Sequence, residues 1–307
     1  MKYPVVVFGV KDVSRLFVEY LCKNGCPVDL VVTIDADVTA NSVVSGYGSM
    51  DGLTESCGVQ VFRTDAYDLK SPAAEAFFRD NEFGIGISMN WSRLIPGWIL
   101  GRFEAGVFGL HGSCGYLPFG QGRATLNWTL IYGLHRFVMH VFRLDAGVDS
   151  PNIYARQAFE VNEFDDIRTL QYKDLLVSEQ LAMRLLGDYR AGHPIRTVMR
   201  ENDVQTRYPG RKPEDGRLTM TAYTQEICHL VRAVTHPFPG AFAFVGEARV
   251  TIWRAQPFDG VLDFSAYRTG EVLAVPDGRP IVRTVDGSLL ITEYEAERAL
   301  VPGDVLT

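Results

Sequence analysis

The chain is 307 residues long, room for about two domains. It is 47% hydrophobic and 22% charged, which excludes a wholly disordered chain. Its 30 Lys and Arg against 37 Asp and Glu leave a net charge of −7, a poor basis for a sequence-independent grip on nucleic acid.

No apolar run approaches the roughly 20 residues that span a bilayer, so no membrane partner is expected. Met1-Lys2-Tyr3-Pro4 leads straight into a strand-like run, without a signal-peptide cleavage pattern. The five cysteines, Cys22, Cys26, Cys57, Cys114 and Cys228, are scattered and lack metal-ligand spacing. Together these features predict a reduced cytoplasmic protein with no metal site.

In chain order, residues 5–8 form a short apolar run of the buried parallel-strand type. Val13, Leu16, Phe17, Tyr20 and Leu21 then recur at helical spacing, and Gly25 ends that helix. Residues 28–32 read as a second buried strand. This is the opening of a doubly wound, mostly parallel α/β sheet of Rossmann-like type. The turn Gly9-Val10-Lys11-Asp12 lacks the GxGxxG pattern, so a nicotinamide cofactor is not expected. Residues 35–58 are small and polar and predict a loop with a short helix. Strands are predicted at 59–62, 83–89, 107–110, 137–142 and 154–161. A helix with an N-terminal proline is predicted over 72–80, and a long helix over 166–190.

The composition then shifts. Residues 207–217 are polar and punctuated by Pro and Gly, as a linker is. A helix near 223–235 precedes short β segments at 248–255, 271–275, 280–284 and 288–293, a spacing that suggests a small barrel. The predicted domains are 1–205, a linker over 206–218, and 219–307.

The most informative stretch runs from Val107 to Gly133. His111 stands just past the predicted fifth strand, where open α/β sheets place ligands. The Gly-rich loop behind it lets backbone approach a bound molecule. A carboxylate from the next strand end would orient the imidazole and raise its pKa. Asp149 is the expected partner and Asp145 its rival.

These residues resemble the N10-formyltetrahydrofolate-dependent formyltransferases, in the branch that holds methionyl-tRNA formyltransferase and the amino-sugar formyltransferases. The nearest likeness is the formyltransferase domain of the bifunctional polymyxin-resistance enzyme acting on UDP-4-amino-4-deoxy-L-arabinose. It rests on Ser88-Met-Asn-Trp-Ser-Arg-Leu-Ile-Pro96, His111-Gly-Ser with Leu117-Pro118, Gly122-Arg123-Ala with Leu126-Asn127-Trp128, and Asp145-Ala-Gly-Val-Asp149. It continues through Arg211-Lys-Pro-Glu-Asp215-Gly, Val231-Arg-Ala-Val-Thr-His-Pro-Phe-Pro-Gly240 and Val250-Thr-Ile-Trp253. Any one segment is weak, but their order and spacing are specific.

The resemblance implies a catalytic domain followed by a small OB-like β-barrel. It implies transfer of a formyl group from N10-formyltetrahydrofolate to a primary amine, without a metal. His111 and Asp149 match the family's catalytic His and Asp. Met89, Trp91, Leu94 and Ile95 match the place of the pterin ring. Arg123 and the stretch Asp145, Ala146, Gly147 and Val148 complete the folate site. Ser113, Tyr116, Arg123 and Asn127 fall where an acceptor would bind. The family's catalytic Asn, two residues before the His, is Gly109 here. Losing such an oxyanion donor costs on the order of 10²–10³ in rate unless it is replaced, and Asn90 is the favoured substitute. The loop from Ser113 to Pro118 is two residues longer than the family's usual form, and Cys114 within it lacks a His partner for nucleophilic work.

For the acceptor, residues 35–62 contain no Lys or Arg, which with the net charge argues against tRNA. A nucleotide-linked amino sugar is the main reading, with lipopolysaccharide among the destinations it implies for the product. The alternatives are an amino acid or hydroxyornithine acceptor in siderophore or natural-product assembly, or a non-catalytic folate or sugar-nucleotide binder. A homodimer is a family-level expectation only.

Overall fold

A computed structural model describes residues 1–35, 38, 47–145, 152–199 and 204–307. By packing, the chain divides into two discontinuous compact units. The first gathers Met1–Gly112, Val138–Ala158 and Asp174–Val204. The second gathers Ser113–Phe137, Phe159–Lys173 and Gln205–Thr307.

The first unit is organised by an eight-stranded sheet. Its strands are β1 (Lys2–Phe8), β2 (Leu30–Ile34), β3 (Gln60–Thr64), β4 (Glu82–Ser88), β5 (Phe103–Ser113), β7 (Arg136–Arg143), β8 (Asn152–Glu160) and β9 (Val198–Met199). They lie in the order β3-β2-β1-β4-β5-β7-β8-β9. The pairs β2–β3, β1–β2, β1–β4 and β4–β5 are parallel, while β9 runs antiparallel to β8. The doubly wound, mostly parallel sheet is as expected. Strand order turns back at β1, because β2 and β4 flank it on opposite sides. Such switch points open the crevice in which α/β sheets bind ligands.

Parallel strands buried on both faces read as continuous apolar runs. In β1, Val6 and Phe8 face the cluster that also holds Leu30, Val32, Phe78, Phe83 and Phe103, while Val5 and Val7 are buried on the other face. Helix α1 (Asp12–Lys23) turns Phe17, Val18 and Leu21 inward. A short helix, α2 (Leu53–Cys57), follows β2 within the stretch read as a loop with a short helix. Helix α3 (Pro72–Asp80) starts where its proline predicts, and the Ser71 hydroxyl accepts the Ala74 amide N–H at 3.2 Å. A single turn, α4 (Gly97–Leu100), precedes β5. Helix α6 (Ile167–Arg190) is the long predicted one.

The second unit holds β6 (Gln121–Gly122), α5 (Thr125–Ile131), β10 (Arg207–Tyr208), α7 (Thr224–Val234) and a five-stranded antiparallel sheet. That sheet comprises β11 (Ala241–Val245), β12 (Ala248–Asp259), β13 (Val272–Ala274), β14 (Ile281–Thr284) and β15 (Gly287–Ala296), in the order β11-β12-β15-β14-β13. Residues near the C-terminus join its two edges. Val305 bridges Glu271 beside β13, Leu306 bridges Val245 in β11, and Phe244 and Thr307 exchange backbone hydrogen bonds at 2.9 and 2.8 Å. This pairing closes the sheet into a small barrel and removes its open edges. The stretch read as a linker, 206–218, contains β10, paired in parallel with β6, and a 3₁₀ turn at Pro213–Gly216. The helix α7 matches its prediction within a residue at each end.

Candidate functional site

The carboxyl ends of β1, β4 and β5 lie side by side. Phe8 pairs with Ser88, and Ser88 with Gly109. Pairing of β4 with β5 ends there, yet β5 itself runs on to Ser113. His111 therefore lies within its strand rather than past it, at a step beyond the end of the neighbouring β4. Two residues past Ser88, Asn90 is exposed and sits in a left-handed turn, at φ 63°. The register thus places Asn90 and His111 at equivalent steps beyond the last β4–β5 pair.

His111 is half-buried, and burial lowers its pKa below the usual imidazole value. Its ring is therefore neutral near pH 7 and available to accept a proton. The strand is pinned at this point by the β7 residue His140, whose Nδ1–H donates to the His111 carbonyl at 3.3 Å. His140 is 1% exposed, and burial pulls it down to about 4. A neutral, buried His makes stability depend on pH. Between about pH 6.5 and 4 the unfolded chain binds a proton that the folded chain does not, so stability falls as pH falls through that window. His140→Gln should remove about 3 kcal/mol of the stability difference between pH 7 and pH 4, read from urea unfolding midpoints. Identical pH dependence in the two proteins would refute this.

The space at Gly109 is spoken for. A Cβ there would lie 2.9 Å from Phe142 Cζ and 3.1 Å from Leu144 Cδ2. No side-chain donor can stand at this position without displacing both. The glycine is needed for room, since its φ is not in the left-handed region.

Around this edge, Met89 is buried, and its carbonyl accepts the Ser14 hydroxyl at 2.8 Å. Trp91 is buried edge-on against Tyr67 and Phe8, with ring centroids 4.9 and 5.9 Å away. Its Nε1–H is buried without a hydrogen-bond partner. Ile95 joins the same core cluster, whereas Leu94 is 74% exposed. Asp145 is exposed. Asp149, Ala146, Gly147 and Val148 lie outside the described residues.

Ser113, Tyr116, Arg123 and Asn127 belong to the second unit. Two of these predicted acceptor residues are tied into the fold. Ser113 is fully buried and its hydroxyl donates to the Phe119 carbonyl at 2.5 Å, closing its loop. Asn127, 6% exposed, donates Nδ2–H to the Ala233 carbonyl at 2.7 Å and so fastens α5 to α7. That bond occupies the amide group expected to face the acceptor. Tyr116 is half-buried beneath the Arg136 guanidinium, at 5.4 Å from its ring, and Arg123 is exposed. The Cys114 thiol and the Tyr208 hydroxyl share a hydrogen bond at 3.0 Å. Sequence reasoning missed the aromatic cluster beside it. Trp128, Tyr132 and Tyr208 form a triangle of rings, with centroids 5.5, 5.8 and 5.9 Å apart, and Arg211 lies over the Trp128 ring at 5.0 Å. Among the described residues no group of three or more His, Cys, Asp or Glu is placed to hold a metal ion. No described helix is long and apolar enough to cross a membrane.

Residues 211–303 match the family described as formyl transferase, C-terminal domain. The fold as a whole is that of solved formyltransferases. The N-formyltransferase of Helicobacter canadensis, crystallised with folinic acid and dTDP-3-aminofucose, is 15% identical, with TM-score 0.63, over 94% of this chain and 98% of that one. HypX of Aquifex aeolicus, in complex with tetrahydrofolic acid, is 19% identical, with TM-score 0.61, over 96% of this chain. This chain spans 44% of the HypX chain. Methionyl-tRNA formyltransferase of Clostridium thermocellum is 15% identical, with TM-score 0.53, over 85% of this chain and 95% of that one.

Proposed function

We propose that this chain transfers the formyl group of N10-formyltetrahydrofolate to the primary amine of a small acceptor, a nucleotide-linked amino sugar. The observation that carries the reading is a neutral, half-buried His111 at the carboxyl edge of a formyltransferase-type sheet, two residues past the last β4–β5 pair, with the exposed Asn90 two residues past the same pair on the other chain segment. The residues at this edge fit a folate. Trp91 holds an unpartnered N–H there, and Asn90 presents an amide free of protein hydrogen bonds among the described residues. The folate supplies an activated one-carbon unit at the formyl oxidation level.

His111 takes the proton that the acceptor amine gives up as its nitrogen bonds to the formyl carbon. It then returns that proton to the departing nitrogen of the carrier, so no net proton is consumed. Asn90 donates to the formyl oxygen as charge builds on it, the role that Gly109 cannot play. Asp149, outside the described residues, is the carboxylate proposed to orient the His111 ring.

The acceptor assignment rests on charge and on the fold. A net charge of −7, and no Lys or Arg over 35–62, disfavour tRNA. The Helicobacter canadensis relative was crystallised with a dTDP-linked amino sugar. The test is tetrahydrofolate release, followed spectroscopically, against a panel of nucleotide-linked amino sugars, amino acids and hydroxyornithine. Turnover with a sugar nucleotide alone is expected, and turnover confined to an amino acid would overturn the acceptor. Asn90→Gly keeps the left-handed backbone that alanine would strain. It is expected to lower kcat by about 10²–10³ with little change in KM. Wild-type kcat in that variant would remove Asn90 from the mechanism.

A further inference from the structure

The second unit contains a cavity of about 490 Å³ that none of the residues assigned above to folate, acceptor or catalysis lines. It lies among the end of α5, the turn at 161–164, α7 and β12. Its size is that of a small-molecule site.

Its polar lining includes His135, Gln225, His229, Arg232 and Gln256, with Asn162 and Glu163 at the turn. Arg232 is the anchor. Its Nη1 donates to the carbonyls of Asn162, Glu163 and Asp165 at 3.0, 2.9 and 2.8 Å, which fixes the guanidinium against the turn. Its Nε and Nη2 make no hydrogen bond among the described residues, and no described carboxylate oxygen lies within salt-bridge distance of it. Burial lowers its pKa, and the nearby Asp165, Asp166 and Glu163 act from beyond contact to hold the charge. A half-buried guanidinium with unspent donors and no carboxylate in direct contact is stabilised when an anion meets those donors.

His229 stands one turn before Arg232 on α7, on the same face. Gly133 makes room for it, since a Cβ there would come within 2.4 Å of the His229 ring. Neither His229 nor His135 has a side-chain hydrogen bond among the described residues, and the same holds for Gln225 and Gln256. Leu130, Leu134 and Pro257 supply apolar wall. Glu163, exposed at the rim, is the acidic side chain in the lining.

We propose that this cavity is a second binding site, which takes a small molecule carrying a phosphate or carboxylate on an apolar body. The anionic group meets Arg232 and His229, the amide N–H groups of the two glutamines donate to its remaining oxygens, and the apolar body lies against Leu130 and Leu134.

Phenyl phosphate is the probe, with phenol and inorganic phosphate as controls, titrated against the full chain by ligand-observed NMR. Saturable binding in roughly the millimolar range is expected, with each control weaker by about tenfold. Gln256→Glu places a charge at an exposed position, and His229→Gln removes a ring the fold does not bond. Each should weaken phenyl phosphate about tenfold with an unchanged melting temperature, while His111→Ala binds as wild type. Absence of saturation, equal affinity in wild type and both variants, or loss of binding in His111→Ala would each overturn the site.

Discussion

His111→Ala is expected to lower kcat by about 10²–10⁴ while leaving the melting temperature within the range of a surface change. The ring is half-buried on β5, and among the described residues its side chain makes no hydrogen bond that holds the sheet. The hydrogen bond to His140 uses the backbone carbonyl, which alanine retains. What is lost is the proton acceptor. An amine that attacks a formyl carbon becomes cationic, and without a base nearby the adduct reverts faster than it sheds its proton. His111→Gln sharpens the test, because glutamine offers a hydrogen bond but cannot carry a proton. It should be nearly as slow as alanine.

The same assignment fixes a pH profile. Burial lowers the His111 pKa, so the neutral ring persists to pH values below 6.5. kcat should be flat through neutrality and fall on the acid side, with an apparent pKa under 6.5 that His111→Ala abolishes. A variant at wild-type rate, or an acid limb that survives the substitution, would remove His111 from catalysis. Desolvation by the fold lowers this pKa, whereas sequence reasoning expected a carboxylate to raise it. Asp149, the expected source of that carboxylate, lies outside the described residues.

Much of the fold is legible because its cause is local. Residues 5–8 are apolar at every step, as a strand buried on both faces must be, and Ser71-Pro72 marks the start of α3 through a side-chain cap and a preset φ. β11 was not legible. Its strand character is completed by pairing with β12. The barrel's closure by residues 305–307 is equally invisible locally, since those residues pair with Val245 and Glu271 far away in sequence. The site divides in the same way. That His111 and Asn90 share an edge follows from strand order. That Gly109 is forced by Phe142 and Leu144 does not, because it depends on which side chains a neighbouring strand delivers. Asn127 is the reverse case, a polar residue in a promising motif whose amide is committed to Ala233. Sequence spacing cannot tell a ligand from such a fastening.

Phe78→Ala is the substitution expected to cost the first unit most, about 3–5 kcal/mol. Phe78 is fully buried on α3, one turn after the buried Ala74. Its ring lies 5.3 Å from Phe83, 5.5 Å from Phe77, 6.1 Å from Phe8, 6.3 Å from Phe62 and 6.4 Å from Trp98. It therefore joins the helix to β1, β3 and β4 at once. Alanine would remove that contact and leave a cavity whose walls belong to three strands already fixed by their ladders, so collapse offers little relief. Phe77→Ala is the control. Phe77 is half-buried and stacks on Phe62 at 3.8 Å, at the margin of the cluster, and should cost about 1–2 kcal/mol. Urea unfolding of the two variants at pH 7 gives the comparison. Phe8 also borders Trp91 beside Asn90, so the larger loss should carry a modest rise in KM for folate with kcat preserved. Equal costs for the two variants would mean that the cluster does not centre on Phe78.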